Sequence, residues 1–525
     1  MTPILFLMAY ALGLVGTFWR PQIGVYMYVT IYFLNPLDRW WGASIPSLRY
    51  GFMIAIAVLI SFVLHGYMSR LKEILLHPVM FVWGMLVGWH YLVTLWALNG
   101  PLHAYFSLQM LTVYVIGTVA ACVLDTVERL KILLTVFVFG AFYIGYLGYS
   151  KGRSGGGRLE GIGTADAPDS NDYAAMIAAI CPILCYMALF GSRAQKVIAL
   201  LAMPFILNVL VLINSRGAFL GLVAGSSFLI WTIMRSREVP AKVRRQIYAG
   251  VVAGVLAFAY LADAVFWERM GTIIGVKDET GQQQERDGSA AGRLFFWKVG
   301  MELVPQHPLG GGIHAFGYLS NSYLPEEYQG KTSRGRAVHS IWVETLTETG
   351  IPGLTIYLLL VFVTYRSYRR ALRNSAHYPD QRITTLCNTL IASLVVCLVS
   401  FTFLDRLRAE IFYWVCTFIV CLDLYLRSAV ETKTRAPTSS PADASDTPPG
   451  GGFIAPSAGG MPINRPPLGV TRQEERPAEN GTNAGRKARL TYGTRGANQS
   501  NEQKQGEQAS NDEKPVRRPS IYWNK

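Results

Sequence analysis

Two arginines and a histidine stand where they could handle a negatively charged leaving group and a proton. Arg216 lies in INSRGAF, at the end of an apolar run. A charge at a membrane boundary is costly unless it is solvated or paired, which makes it a functional candidate; the plain alternative is an arginine reaching to the interface. Arg293 lies in DGSAAGRLFFWKVGMELVPQHP. Asp287 or Ser289 suits an N-cap, and Pro305 and Pro308 should stop the helix near Val304. Arg293 then falls in or near the first turn, where free N–H groups and the helix dipole favour an anion. A charge-assisted hydrogen bond there contributes about 1.5–3 kcal/mol; the alternative is a solvated surface arginine. His339 opens HSIWVETLTETGIPGL after an approach containing Arg334 and Arg336. A histidine takes a proton at neutral pH, or simply sits at an interface.

Other residues compete for a role. His307 and His314 share the same polar stretch, and His307, between two prolines, reads as turn. Glu344 and Glu348 lie one helical turn apart on one face, and an ideal helix points Glu348 away from His339. The segment GRSGGGRLEGIGTADAPDSND offers Arg153, Arg158, Asp169, Asn171 and Asp172, with glycines that let backbone approach a ligand. It contains no GKS or GKT, so it is no P-loop. HExxH, GxSxG, DxD-like and kinase signatures are absent from the sequence, so a soluble, nucleotide-dependent mechanism is not expected. Cys181 and Cys185 share a helix face, but no histidine or carboxylate completes a metal site. The seven cysteines all fall in apolar stretches and read as small buried hydrophobes, not a disulfide framework. No metal and no cofactor is expected.

These residues must be positioned by membrane helices. The chain of 525 residues is 51% hydrophobic, with a mean hydropathy of +0.27 that includes a polar tail. About thirteen apolar segments read as spans: residues 4–19, 23–34, 50–65, 79–98, 103–124, 130–149, 173–190, 197–213, 218–234, 247–266, 351–365, 383–403 and 411–426. The first two are short and either both cross or form a tight hairpin around Arg20-Pro21. The expected class is an all-α polytopic membrane protein of about 12–13 transmembrane helices. Its divisions are N-terminal helices over residues 1–266, a large polar excursion over 267–340, C-terminal helices over 341–430 and a disordered tail over 431–525. The tail is rich in Pro, Gly, Asn, Gln and charge, and cannot bury enough apolar surface to order itself.

The net charge of +14 invites a nucleic-acid reading. The basic residues sit mostly in short loops and the tail, where they set topology instead. Residues 235–245 and 366–382 are the most basic short loops and should be cytoplasmic. Alternation puts residues 69–72, 125–131 and 193–196 there too, and each is basic. Arg216, the glycine-rich segment and the long excursion then share the outer face, with the C-terminus cytoplasmic. No cleavable signal peptide is evident.

Together, SRGA at 215–218, GRLFFW and HPLGGG between 292 and 312, and HSIWVETLTETGIPGL at 339–354 resemble the O-antigen ligase/polymerase superfamily of bacterial membrane glycosyltransferases. More narrowly, WRPQIGVYMYVTIYFLNP, WALNG, DTVERLK and RLEGIGTADAPDSNDYA are similar to O-glycosylation ligases associated with exosortase systems. That family usually carries a more acidic, Asn-rich version of the last stretch, where Asp169, Ser170, Asn171 and Asp172 stand here.

The resemblance implies a GT-C-like, metal-independent transferase in the bacterial inner membrane. Its donor would be a glycan on undecaprenyl diphosphate, presented on the periplasmic side. Arg216 and Arg293 would bind the diphosphate and His339 would activate the acceptor hydroxyl. Arg158, Asn171, Asp172, Arg336, Glu344 and Glu348 are candidate donor or acceptor contacts. The acceptor would be a protein, a lipid or a polysaccharide. An exopolysaccharide polymerase of the same superfamily is the first alternative, and a transporter or flippase the second. The sequence shows no internal repeat of the kind transporters carry.

Overall fold

The computed structural model describes residues 2–435, apart from 154–156, 165, 168, 236–240, 275–287, 330–334 and 379. The tail expected to be disordered lies outside the described residues from 436 on, as does Asp287. The described chain is helical: α1 (Thr2–Trp19), α2 (Pro21–Leu34), α3 (Tyr50–Leu64), α4 (Met68–Leu75), α5 (Pro78–Val93) and α6 (Gly100–Val123). Then come α7 (Val127–Lys151), α8 (Ser170–Phe190), α9 (Arg193–Ile213), α10 (Arg216–Arg235), α11 (Ala241–Leu261) and α12 (Ala264–Ile274). The last are α13 (Gly288–Leu303), α14 (Ala315–Ser320), α15 (Ile341–Ser375), α16 (Gln381–Phe401) and α17 (Glu410–Arg435). One isolated bridge, Thr164 to Ala167, is the extent of β pairing among the described residues.

Each apolar segment expected to span overlaps a helix, yet the count of full spans is lower. Among the described residues nine helices are long and apolar enough to cross a membrane, or up to eleven if each bent pair is one span. The reason is length. The 14 residues of α2 reach about 21 Å and the 16 of α5 about 24 Å, short of a hydrocarbon core of about 30 Å. Two other segments bend: α3 turns by 111° into α4, and α11 by 104° into α12. The amphipathic α4, MSRLKEIL, reads as a basic loop in sequence because its charges interrupt the apolar run.

The polar excursion is not a loop. It holds α13, α14 and a short 3-10 turn, with a small core of Phe296, Val299, Leu303, Phe316, Leu324, Val338 and Val343. α13 starts at Gly288, so Ser289 lies inside it and not at its cap. Arg293 is its sixth residue, just past the first turn.

The HPLGGG motif proves to be a joint. α15 breaks at Gly350, whose φ of 70° is left-handed. The amides of Gly311 and Gly312 donate to the Thr347 and Glu348 carbonyls, both at 2.9 Å, and Ile351 N–H donates to Pro308 O at 2.9 Å. Trp96 and Trp89 cap the joint by donating to Gly310 O and Thr349 O at 3.0 and 2.7 Å. A Cβ on Gly310 would meet Glu348 O at 2.5 Å, and one on Gly350 would meet the Leu309 carbonyl carbon at 2.3 Å. Both positions also have positive φ, so two independent constraints demand glycine.

A second glycine stripe sets the position of Arg216. Gly217, Gly221 and Gly225 recur every fourth residue along α10 and face α16 and the residues just after it, where added Cβ atoms would meet Phe403 Cβ at 3.3 Å, Ser400 Oγ at 2.1 Å and Val396 Cγ2 at 2.3 Å. Small residues at this spacing let two membrane helices approach closely. The start of α10 is thereby held against the segment that follows α16.

Candidate active site

Arg216 and Arg293, far apart in sequence, line one small cavity, with a third arginine, Arg269. Asn171, Ser215, Gly217, Phe403 and Leu404 complete it. The open volume is about 10 Å³, room for roughly one water. Three guanidinium groups bring positive charge to one small space, the kind of lining that suits an anion.

Each arginine arrives by a distinct device. α9 ends at Asn214, in the left-handed conformation (φ 58°), and α10 starts two residues on with Arg216. The Asn214 side-chain amide donates to Val265 O at 3.1 Å, which ties the same turn to α12, the carrier of Arg269. Phe266 and Met270 of α12 pack on Val211 of α9, and an Arg153–Asp263 ion pair holds the bend before α12. Arg293 comes from α13, whose Trp297 donates to Val338 O at 3.2 Å and whose ring lies 6.3 Å from that of Phe403.

His339 follows Val338 directly and is itself left-handed, with φ of 55°. A non-glycine residue held there is strained, and such strain gathers at functional sites. Among the described residues no hydrogen bond restrains its half-buried ring. Burial and then the nearby Arg293, with Arg336 adding, disfavour the imidazolium and hold its pKa down at about 4, against an opposing pull from Asp169. The ring is therefore neutral at pH 7 and able to accept a proton.

The segment after α16, residues 402–410 (TFLDRLRAE), organises the rest and carries no motif that marks it in sequence. Asp405 accepts the amide of Ser340 at 3.0 Å. Arg406, 5% exposed, contacts Asp166 at 3.4 Å and Asp172 at 3.6 Å. Arg408 bonds Glu344 at 2.7 Å and also pairs with Glu348. Leu407 N–H donates to Glu344 at 2.9 Å and His314 N–H to Glu348 at 2.8 Å. The shared face of Glu344 and Glu348 is real, and it is occupied by Arg408.

The remaining candidates divide. Asn171 lines the arginine cavity and accepts from Arg158 at 2.6 Å; Arg158 also donates to Ile213 O at 3.1 Å, beside Asn214. Asp169 caps α8 through Asn171 N–H at 2.8 Å. Asp172 belongs to the Arg406 cluster. Arg336 is exposed and donates to Tyr328 O at 3.1 Å. His307 sits in the turn after α13, its amide shared between Leu303 O and Val304 O at 3.1 and 3.2 Å. Arg334 lies outside the described residues. Arg269 is the member that sequence reasoning missed. Its signal was faint: a lone arginine in WERMGTI, just past an apolar segment.

Residues 200–358 match the family model described as O-antigen ligase. The matched region runs from α9 to α15 and holds all three cavity arginines, His339 and the glycine joint. No curated protein matches the chain. The match supports the O-antigen ligase/polymerase superfamily, and with the helices it supports a multi-pass membrane protein with a ligase-like or polymerase-type glycosyl transfer function.

Proposed function

We propose that this relative of the O-antigen ligases transfers a glycan from an undecaprenyl-diphosphate-linked donor to an acceptor hydroxyl. The reaction would take place at the periplasmic face of the inner membrane, with the C-terminus cytoplasmic. The observation that carries this reading is the convergence of Arg216, Arg269 and Arg293 on one cavity, with His339 in the field of Arg293. The basic residues at the opposite helix ends, such as Arg366, Arg369, Arg370 and Arg373 in the last turns of α15, support the sidedness.

In this reading the arginines bind the diphosphate. The cavity is smaller than that group, so the long side chains swing apart to admit it. The acceptor oxygen attacks the anomeric carbon while the bond from that carbon to the diphosphate oxygen breaks. Negative charge grows on the departing diphosphate, where fixed cations stabilise it most. The acceptor proton passes to neutral His339, a step in which a positioned base contributes about 10²–10⁴-fold. Undecaprenyl diphosphate leaves, and a single displacement inverts the anomeric centre. The chain's own side chains account for each step, so we read the enzyme as metal-independent.

The test compares cells lacking the gene and complemented with wild type or Arg216→Ala at equal membrane abundance. The lipid-linked glycan pool should rise with Arg216→Ala, and secreted glycoproteins should lose sugar. Shortened polysaccharide with unchanged glycoproteins would favour a polymerase. An unchanged lipid-linked pool in the deletion strain would sink glycosyl transfer altogether.

A further inference from the structure

α7 joins two ends of the bundle. Its last residue, Lys151, leads into the segment that carries Arg158, the partner of Asn171 in the arginine cavity. Its first turn, which carries Arg129, lies about 37 Å away along a helix of 25 residues. There another cavity, of about 550 Å³, opens where the α1–α2 turn meets the α3–α4 bend. Trp19 and Arg20 come from the turn, His65 and Tyr67 from the bend, and Arg129 and Ile132 from α7. A space of this size suits a small organic ligand or head group.

Among the described residues no carboxylate lines this cavity. Its positive charge is only partly answered. Arg129 pairs with Asp125, but Asp125 also faces Arg70 at 3.6 Å, so two guanidinium groups share one carboxylate. The Arg20 side chain is exposed and makes no hydrogen bond or ion pair among the described residues. Arg129, by contrast, is held firmly. Buried Gln22, turned so that its amide oxygen faces donors, accepts from Arg129 at 3.0 Å and from Tyr67 at 3.2 Å. Arg129 also donates to Val123 O at 3.1 Å. A guanidinium fixed in this way costs little further ordering when an anion arrives.

The mouth of the cavity is apolar. Trp19, Leu64 and Ile132 are 80%, 70% and 49% exposed. α4 leaves α3 at 111° and so runs across the direction of that helix, with Ile74 buried and Arg70 and Lys72 on its polar side. An amphipathic helix laid across the end of a bundle, an exposed tryptophan and unanswered basic charge are the features with which a protein meets the head-group layer of a bilayer.

We propose that this cavity binds the phosphate of an anionic phospholipid, taken from the leaflet at the opposite end of α7 from the arginine cavity. Arg20 and Arg129 meet the phosphate, and the acyl chains leave past Trp19 and Ile132. A soluble phosphate ester shares the head-group chemistry, but it carries nothing to cover the apolar mouth. The site stands apart from glycosyl transfer and does not depend on it.

The test titrates the full chain, in a neutral detergent, with dihexanoyl phosphatidylglycerol, dihexanoyl phosphatidylcholine and glycerol 1-phosphate. The phosphatidylglycerol should bind about tenfold more tightly than either of the others. Arg20→Gln should weaken it about tenfold, the loss of one charge-assisted hydrogen bond, and removes no contact that the fold uses. Ile132→Trp, at an exposed position on the cavity wall, should weaken it too. Arg193→Gln is the control. Arg193 is exposed and does not line the cavity, yet it starts α9 close to the same end of α7, where Gln195 donates to Lys131 O at 3.3 Å. Its loss should change binding by less than about twofold, since an exposed charge at a distance is screened. Equal binding of the two lipids, unchanged binding in Arg20→Gln, or equal losses in Arg20→Gln and Arg193→Gln overturns the site. Glycerol 1-phosphate binding as tightly as the phosphatidylglycerol overturns the lipid as its occupant.

Discussion

The amide of Ser340 donates to the carboxylate of Asp405 at 3.0 Å, so the residue after His339 is pinned to the segment between α16 and α17. Trp342, two residues on, reinforces the link by donating to Thr402 at 3.0 Å. His339 thus owes its place to a contact 65 residues away. Asp405→Ala should lower kcat about tenfold or more, with the donor KM within a few-fold. Asp405→Asn should restore most of the rate, because an amide oxygen still accepts from Ser340. Burial pushes the Asp405 carboxyl up to about 7, against the lowering effect of that hydrogen bond. Both its protonation states can accept the Ser340 N–H, so this contact should not impose a pH dependence near neutrality.

The pH dependence should come from His339. Its pKa is lowered to about 4 by burial first and Arg293 next. Protonation removes the base, so kcat/KM should stay level from neutral pH down to about 5 and fall below about 4. Donor binding would neutralise part of the Arg293 charge and raise the pKa, so the acid limb of kcat should lie above that of kcat/KM. A midpoint of kcat/KM near 6.5, the value of an unperturbed histidine, would contradict the electrostatic coupling of His339 to Arg293.

Arg269 offers a test of the three-arginine cavity that does not depend on the family motifs. Losing one charge-assisted bond of about 1.5–3 kcal/mol should weaken undecaprenyl diphosphate binding by about 10- to 150-fold. Arg269→Ala should show this in a direct binding titration, and Arg269→Lys should recover part of it. Binding unchanged in Arg269→Ala would remove Arg269 from the site.

The glycine joint predicts a stability effect separable from chemistry. Gly350→Ala places a methyl group against backbone at 2.3 Å and adds left-handed strain of about 1–3 kcal/mol. The protein should lose thermal stability. Gly88→Ala, on α5 with open space around it, should leave stability unchanged.

The fold was legible where a single physical signal dominates. Apolar runs announced the helices. What the sequence did not disclose were the consequences of packing. The bend after α3 holds Gly66 at φ 72°, the bend after α11 holds Asp263, which accepts from Phe266 N–H and pairs with Arg153, and the short α2 and α5 cannot be told from full spans by hydropathy alone. Arg216 and Arg293 were legible as charges at helix ends. Arg269 was not, because its place comes from the 104° bend into α12 and the Asn214 contact to Val265 O. Glu344 and Glu348 read as ligand contacts until Arg408, at the end of an unremarked segment, was seen between them. HPLGGG marked the family, but only the structure shows that its glycines satisfy the carbonyls of a broken helix.

The most direct test of the central claim is a single-turnover assay in nanodiscs with the lipid-linked donor and its acceptor, comparing wild type with His339→Ala and measuring donor binding in parallel. The account predicts donor affinity within a few-fold of wild type and a transfer rate lower by about 10²–10⁴-fold. Transfer by His339→Ala at the wild-type rate, with the donor bound, would show that His339 is not the base.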